Sequence, residues 1–222
     1  MDFVDVRLFA SAAVLPDLRE FHGERLGVER IAETRFRVGA TELEFAPSQA
    51  EPFYHFALLV PGNRFDAAFD WIRERVELLP YQETGEEVFD FDNWNALACY
   101  FHDPAGNIVE LIAHRGIGET DATGAFSARE LLGFSELGLV GDPRAMARDL
   151  ELVGLRLWDG TLDEPGTLAF VGEQARTLIL SPEGRGWLPT GRPAESHPVE
   201  VALSGSPEGT VSVNGHLVSR RV

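Results

Sequence analysis

Residues 100–115 read Tyr-Phe-His-Asp-Pro-Ala-Gly-Asn-Ile-Val-Glu-Leu-Ile-Ala-His-Arg, two β-like runs around a tight turn. Asp103-Pro104 suits the opening positions of a turn, and Gly106-Asn107 are types that tolerate the positive φ needed to reverse the chain. The following run, Ile108 to Ala113, is rich in strand formers, with Glu110 in its middle between Val109 and Leu111. A carboxylate there faces water or faces something that binds it, because burial without a partner is costly.

The surrounding chain repeats this arrangement. Asp5-Val6-Arg7-Leu8-Phe9-Ala10 aligns with His55-Phe56-Ala57-Leu58-Leu59-Val60, fifty positions later. Each run leads to a helical pattern, Leu15 to Leu26 and then Arg64 to Leu78; in the second, Phe65, Ala68, Phe69, Ile72 and Val76 recur at helical spacing. Gly27 follows the first helix, as glycine commonly does past a C-terminus. Three short β-like runs come after each helix: Val28 to Glu33, Arg35 to Val38 and Thr41 to Ala46, then Val88 to Phe91, Leu97 to His102 and Asn107 to His114. On this alignment Glu44 matches Glu110. A polar linker, 116–128, precedes a third copy that opens on Glu136-Leu137-Gly138-Leu139-Val140 and continues with Asp142-Pro143, an N-cap followed by proline at the first helical position. Its strands fall near Leu155 to Trp158, Thr167 to Val171 and Arg176 to Leu180, with Ile179 where Glu44 and Glu110 stand. The tail carries two further β-like runs, Val199 to Leu203 and Val211 to Val218, as a reduced fourth copy.

Composition narrows the function classes. The formal charge is −17, and all 19 basic residues are arginine. Such acidity argues against nucleic acid and anionic membrane as partners, since a phosphate surface demands a basic footprint. No apolar stretch approaches the ~20 residues of a membrane span, and Met1-Asp2-Phe3-Val4-Asp5 lacks the basic and apolar regions of a signal peptide. A single cysteine, Cys99, fits a reducing compartment, so a cytoplasmic location is expected. Its place between Ala98 and Tyr100 in a strand, with no activating group in view, makes it a poor nucleophile.

The turn, an aromatic, one residue, Asp-Pro, one residue, Gly-Asn, and then a strand bearing Glu, resembles the signature of the vicinal oxygen chelate superfamily. That superfamily includes glyoxalase I, ring-cleaving dioxygenases, fosfomycin and bleomycin resistance proteins and methylmalonyl-CoA epimerase. The resemblance implies an α+β fold in which tandem βαβββ modules pair into a curved mixed β-sheet cup with helices outside. Modules 1–50 and 51–115 are expected to pair and form the site; residues 129–222, the third module with the reduced tail, would be structural because Ile179 replaces a ligand.

The superfamily's ligands come from the first and fourth strands of two paired modules, which carries over to Asp5, Glu44, His55 and Glu110. Strand alternation would then turn Val6, Leu8, Phe56, Leu58, Val109 and Leu111 away from the cup, into the core. Asp5 departs from the family's usual His or Gln. Three carboxylates and one imidazole make a hard site, expected to take Mn, Fe, Ni, Zn or Mg as a divalent ion. The competing expectation is a charge cluster without metal, with Arg7 neutralising Asp5, Glu44 or Glu110.

By the same resemblance Glu44 or Glu110 is the catalytic proton shuttle of an isomerase or lyase acting on a small oxygen-chelating molecule. Arg7, Trp94, Asn95, Tyr100 and His102 are the candidate substrate contacts. Trp94 and Asn95 belong to Phe91-Asp92-Asn93-Trp94-Asn95, an apolar wall with amide donors or simply a packed turn. His102 is more readily a turn cap, His114 a rim residue and His22 a surface one. The segment Pro182 to Pro193, around Trp187, reads as a lid or an ordered loop. A metal-free binding or resistance protein using the same cup is the alternative; a ring-cleaving dioxygenase is disfavoured, since that activity uses two His and one Glu. The odd number of complete modules also raises a homodimer, because an unpaired sheet would leave open edges.

Overall fold

The computed structural model describes residues 1–164 and 166–222. The first module contributes β1 (Phe3–Ser11), β2 (Glu29–Arg30), β3 (Arg35–Val38) and β4 (Thr41–Ser48). The second contributes β5 (His55–Leu59), β6 (Phe89–Phe91), β7 (Ala96–His102) and β8 (Ile108–His114), and the third β9 (Gly133–Val140), β10 (Leu157–Gly160), β11 (Ala169–Glu173) and β12 (Arg176–Ser181). A short hairpin, β13 (Gly186–Trp187) and β14 (Arg192–Pro193), precedes the tail strands β15 (Glu200–Ser204), β16 (Gly209–Val213) and β17 (His216–Arg221). One helix follows the first strand of each module: α1 (Leu15–Arg19), α2 (Phe65–Arg73) and α3 (Pro143–Glu151). The α+β class and the βαβββ repeat are as the sequence indicates.

The modules pair differently from expectation. The first module's sheet joins the tail, in the order β16-β17-β15-β1-β4-β3-β2, and the second module's joins the third, in the order β10-β11-β12-β9-β5-β8-β7-β6. Both seams have the same form: β1 meets β15 antiparallel, β5 meets β9 antiparallel, and each seam strand is flanked by a parallel partner from its own module. The tail is therefore a fourth module lacking its helix and one strand, and it completes the first. No module is left unpaired, so the argument for an exchanged dimer loses its basis.

Burial explains the choice of partners. In β1, Asp5, Arg7 and Phe9 alternate with buried Val6, Leu8 and Ala10; in β4, Glu42 and Glu44 alternate with buried Leu43 and Phe45. Such strands can leave one face to water. By contrast β5, β8 and β9 are buried along their whole length. Strands of that kind need cover on both faces, and they gather at the centre of the eight-stranded sheet. One face, with Phe56, Leu58, Val109 and Leu111, joins Val6 and Leu8 in the main core, as alternation predicts. Phe134 bridges the two sheets, stacked on Phe56 at 5.1 Å and tilted to Phe3 at 6.0 Å between centroids.

Local signals are mostly obeyed. Asp142 caps α3, its carboxylate accepting from the Arg144 and Ala145 amides. Gly27 and Gly154 follow the first and third helical segments, each at φ +72°. The first helix continues past Arg19 as a wider turn over Glu20–Arg25, in which Leu26 N–H reaches the Phe21 carbonyl at 2.9 Å. Phe21 and His22 are both buried there, so His22 is no surface residue; its Nε2 lies 3.4 Å from Asp103 of the second module. In the 103–107 turn only Gly106 takes positive φ, +75°. Asn107 acts instead as a staple: it accepts the Tyr54 amide at 2.8 Å and donates to Asp103 Oδ2 at 2.8 Å, while Asp103 Oδ1 accepts the Ala105 and Asn107 amides.

Candidate metal centre

Three strands converge on one point at the centre of the eight-stranded sheet. His55 opens β5, and Ala57 on the same face lies between Glu110 on β8 and Glu136 on β9. Alanine at that register leaves the two carboxylates and the imidazole room to meet. Ligand atoms of His55, Glu110 and Glu136 lie within 4.8 Å of one another, and all three residues are buried.

The donor set fits a divalent ion. His55 Nδ1–H donates to the Ile108 carbonyl at 3.1 Å, which leaves the Nε2 lone pair facing Glu110 Oε2 at 3.5 Å. Ligand atoms about 2.1 Å from an ion stand roughly 3 to 4 Å apart, so a small side-chain rotation would close the set. Among the described residues no arginine reaches Glu110 or Glu136 within salt-bridge distance; the nearest basic group to Glu110 is the His55 imidazole, which burial keeps neutral. Their environment penalises charge accordingly. Burial and then the nearby Glu136 hold the Glu110 pKa well above the ordinary carboxylate range, against a lowering by the Tyr100 hydroxyl. Burial pushes Glu136 up to about 8 and His55 down to about 4. Two buried acids with no internal cation are what a site awaiting an external one requires.

Above this group lies a cavity of about 80 Å³ open to water centres, against the roughly 10–15 Å³ that one water needs. Phe91, Trp94, Tyr100, Phe170 and Trp187 form its aromatic wall, with Ile179 at the position where the first two modules carry glutamate. The Trp187 ring lies 4.9 Å from that of His55, and Trp94 meets Phe170 edge-on at 4.6 Å. The hairpin segment thus covers the cup.

The structure divides the expected ligands between two sheets. His55 and Glu110 come together; Asp5 and Glu44 lie on the seven-stranded sheet, so the four-residue set is not assembled. There arginines fill the equivalent place: Arg7 contacts Glu44 and Glu200, each at 3.1 Å, and Arg35 contacts Asp5, Glu42 and Glu44. Glu44 is therefore paired away from the cup, and Arg7 neutralises Glu44 rather than Glu110. The third module is not merely structural, since Glu136 enters the group. Its alignment with Asp5 and His55 at the head of a first strand was the signal for it.

Among the substrate candidates, Trp94 and Tyr100 line the cavity. Asn95 does not: it adopts the left-handed conformation at φ 51° and its side chain accepts from Arg115. His102 is exposed and donates from Nδ1 to the Asn107 carbonyl, a turn cap. His114 is buried rather than at the rim, its ring 6.3 Å from that of Trp94. Cys99 is buried in the core and burial pushes its thiol pKa up, so it is inert as a nucleophile.

No family model matches the sequence, and no curated protein matches it. Solved structures match over nearly the whole chain. A Bacillus subtilis protein provisionally assigned as a dioxygenase superposes with a TM-score of 0.58 at 12% identity, covering 99% of this chain and 85% of that one. Two glyoxalase I variants from Zea mays give TM-scores of 0.55 and 0.54 at 13% identity, covering 99% of this chain and 93% and 91% of theirs. The chain shares the fold of these proteins. Within that fold the chain carries a buried His-Glu-Glu group able to hold a metal ion. No helix among the described residues is long and apolar enough to cross a membrane.

Proposed function

We propose that the protein is a divalent-metal-dependent enzyme of the isomerase or lyase type, acting on a small oxygen-bearing molecule in the cup between β5, β8 and β9. The observation that carries this reading is the convergence of His55, Glu110 and Glu136, all buried and without an arginine partner. One imidazole and two carboxylates suit Mn²⁺, Fe²⁺, Ni²⁺ or Zn²⁺. When bound, such an ion would polarise substrate oxygens and stabilise negative charge developing on them.

The chain's own residues divide the remaining work. His55 is oriented by its bond to the Ile108 carbonyl. Glu110 stands between His55 and Tyr100, which limits its freedom. Glu136, with no hydrogen-bond donor or cation recorded at its carboxylate, is the better base: it would take a proton from a carbon beside the polarised oxygen and return it to the neighbouring carbon. This moves the shuttle role from Glu44 or Glu110 to Glu136. The aromatic wall excludes bulk water from that transfer. A ring-cleaving dioxygenase remains the weaker reading, because the group holds one histidine, not two.

The test is elemental analysis of protein purified without a metal-affinity tag, then thermal melts after chelation and re-addition of Mn²⁺, Fe²⁺, Ni²⁺ and Zn²⁺. Near-stoichiometric metal that disappears in folded His55→Ala and Glu110→Ala variants supports the enzyme. Absence of metal, with no thermal shift from any of the four ions, overturns it in favour of a metal-free binding protein.

A further inference from the structure

The cup contains a cation, Arg185, that no carboxylate among the described residues neutralises. Arg185 belongs to Gly184-Arg185-Gly186-Trp187-Leu188-Pro189, the stretch that carries the covering hairpin, and it lines the cavity with Trp187 and Leu188. Its Nε donates to the Gly166 carbonyl at 3.2 Å and its Nη1 to the Gly186 carbonyl at 2.9 Å. These bonds fix the guanidinium and use two of its five N–H groups. Arg7, Arg35, Arg64 and Arg176 each pair with a carboxylate, whereas no such contact is recorded for Arg185 among the described residues. Burial lowers its pKa, as it does for a cation withdrawn from water without compensation.

His55, Glu110 and Glu136 are buried, while Arg185 is half-exposed and Leu188 exposed. The arginine therefore stands on the outer part of a wall that also carries Trp94, Phe170 and Trp187. A fixed fork of N–H donors on a wall shared with aromatic rings matches a flat ring bearing one carboxylate. A dianion fits poorly, because a single arginine faces it and the −17 chain repels it.

We propose that the cup selects aromatic monocarboxylates, with the carboxylate paired to Arg185 and the ring held among Trp94, Phe170 and Trp187. The proposal rests on the cup being a small-molecule site, and it assigns the anion to Arg185 rather than to a metal.

The experiment measures binding of benzoate, its neutral isostere benzamide and the non-planar cyclohexanecarboxylate by calorimetry. It uses chelator-treated protein and protein loaded with Mn²⁺, with metal content assayed separately. Benzoate is expected to bind at least about tenfold tighter than benzamide in both states. Arg185→Gln should bring the two within about twofold while leaving the thermal melt unchanged, and Arg185→Lys should restore part of the preference. Trp187→Leu should weaken benzoate more than cyclohexanecarboxylate. Equal binding of benzoate and benzamide, a preference that survives in Arg185→Gln, or no binding in either state overturns the proposal. A preference seen only with Mn²⁺ also overturns it, by placing the carboxylate on the ion. Failure to take up metal, with the Arg185-dependent preference intact, overturns the enzyme reading alone.

Discussion

Replacing Glu136 with glutamine should make the metal-free protein more stable at pH 8 while removing its capacity to hold a metal. Glu136 is buried, and that burial moves its pKa from 4.5 to about 8. At about 1.36 kcal/mol per pK unit, the acid costs the fold about 3 kcal/mol at pH 7 and about 4 at pH 8, relative to the unfolded chain, but under about 1 at pH 5. The sign follows from proton binding: between pH 4.5 and 8 the folded protein holds a proton that the unfolded chain has released. Stability is thus fullest below 4.5 and is lost as the pH climbs through that window. Glutamine keeps the shape without the ionisation, though its buried amide brings a desolvation cost of about 1–2 kcal/mol. The net gain is about 2 kcal/mol at pH 8 and vanishes near pH 5. Urea melts in chelator at pH 5, 7 and 8 measure it, and a parallel Mn²⁺ titration should stabilise the wild type but not the variant. A Glu136→Gln protein that is less stable than the wild type at pH 8 without metal, or that still takes up one equivalent, would refute the reasoning.

Other variants probe the remaining framework. Arg35→Met leaves Asp5 without its cation on the seven-stranded sheet, while Glu42 keeps Arg37 and Glu44 keeps Arg7; because these side chains are about a quarter to a third exposed, urea melts should show a loss of only about 1 kcal/mol, and metal content should not change. Asn107→Ala removes the acceptor for the Tyr54 amide and the donor to Asp103, so a loss of about 2–4 kcal/mol is expected; a loss under about 1 would show that the turn stands without its staple. At Gly138 a Cβ would lie 3.0 Å from the Trp187 ring and 3.2 Å from the His55 carbonyl. Gly138→Ala should therefore displace the covering tryptophan, read as a shifted emission maximum with little change in the far-UV spectrum.

Much of this architecture was legible because it is periodic. The fifty-residue offset, the glycines after two helical segments and the Asp142-Pro143 start are local signals, and local chemistry decides them. The pairing of modules was not local. Glu44 and Glu110 occupy the same place in their modules, and nothing in either strand names its partner across a seam. The signal lay in a coarser contrast: Asp5-Val6-Arg7-Leu8 alternates charge with bulk, while His55-Phe56-Ala57-Leu58-Leu59 does not. Read for burial rather than for ligands, that contrast joins β5 to the equally apolar β9 and leaves β1 for the tail. The same reasoning would have drawn Glu136 into the site, because it is a lone acid in a run that is otherwise buried.

The two sheets hold acidic residues at matching positions and neutralise them in opposite ways. On the seven-stranded sheet Arg7 and Arg35 stand directly across the ladder from Glu44, so each carboxylate finds its cation within the chain, at a face where water still screens the pair. On the eight-stranded sheet the cross-strand neighbours are Ala57 between the two glutamates and Tyr100 opposite Glu110. None of these can carry positive charge, and the His55 imidazole is held neutral by burial. Aromatic cover then removes the water that might have compensated. The lack of an arginine on this sealed inner face raises the cost of two carboxylates by several kcal/mol, and the same arrangement suits the group to an external cation. Transplanting an arginine to Ala57 should therefore reproduce the first sheet's solution: Ala57→Arg would neutralise Glu110 and Glu136 internally and abolish metal uptake. Retention of stoichiometric metal by a folded Ala57→Arg protein would separate metal affinity from the missing internal charge and break this account.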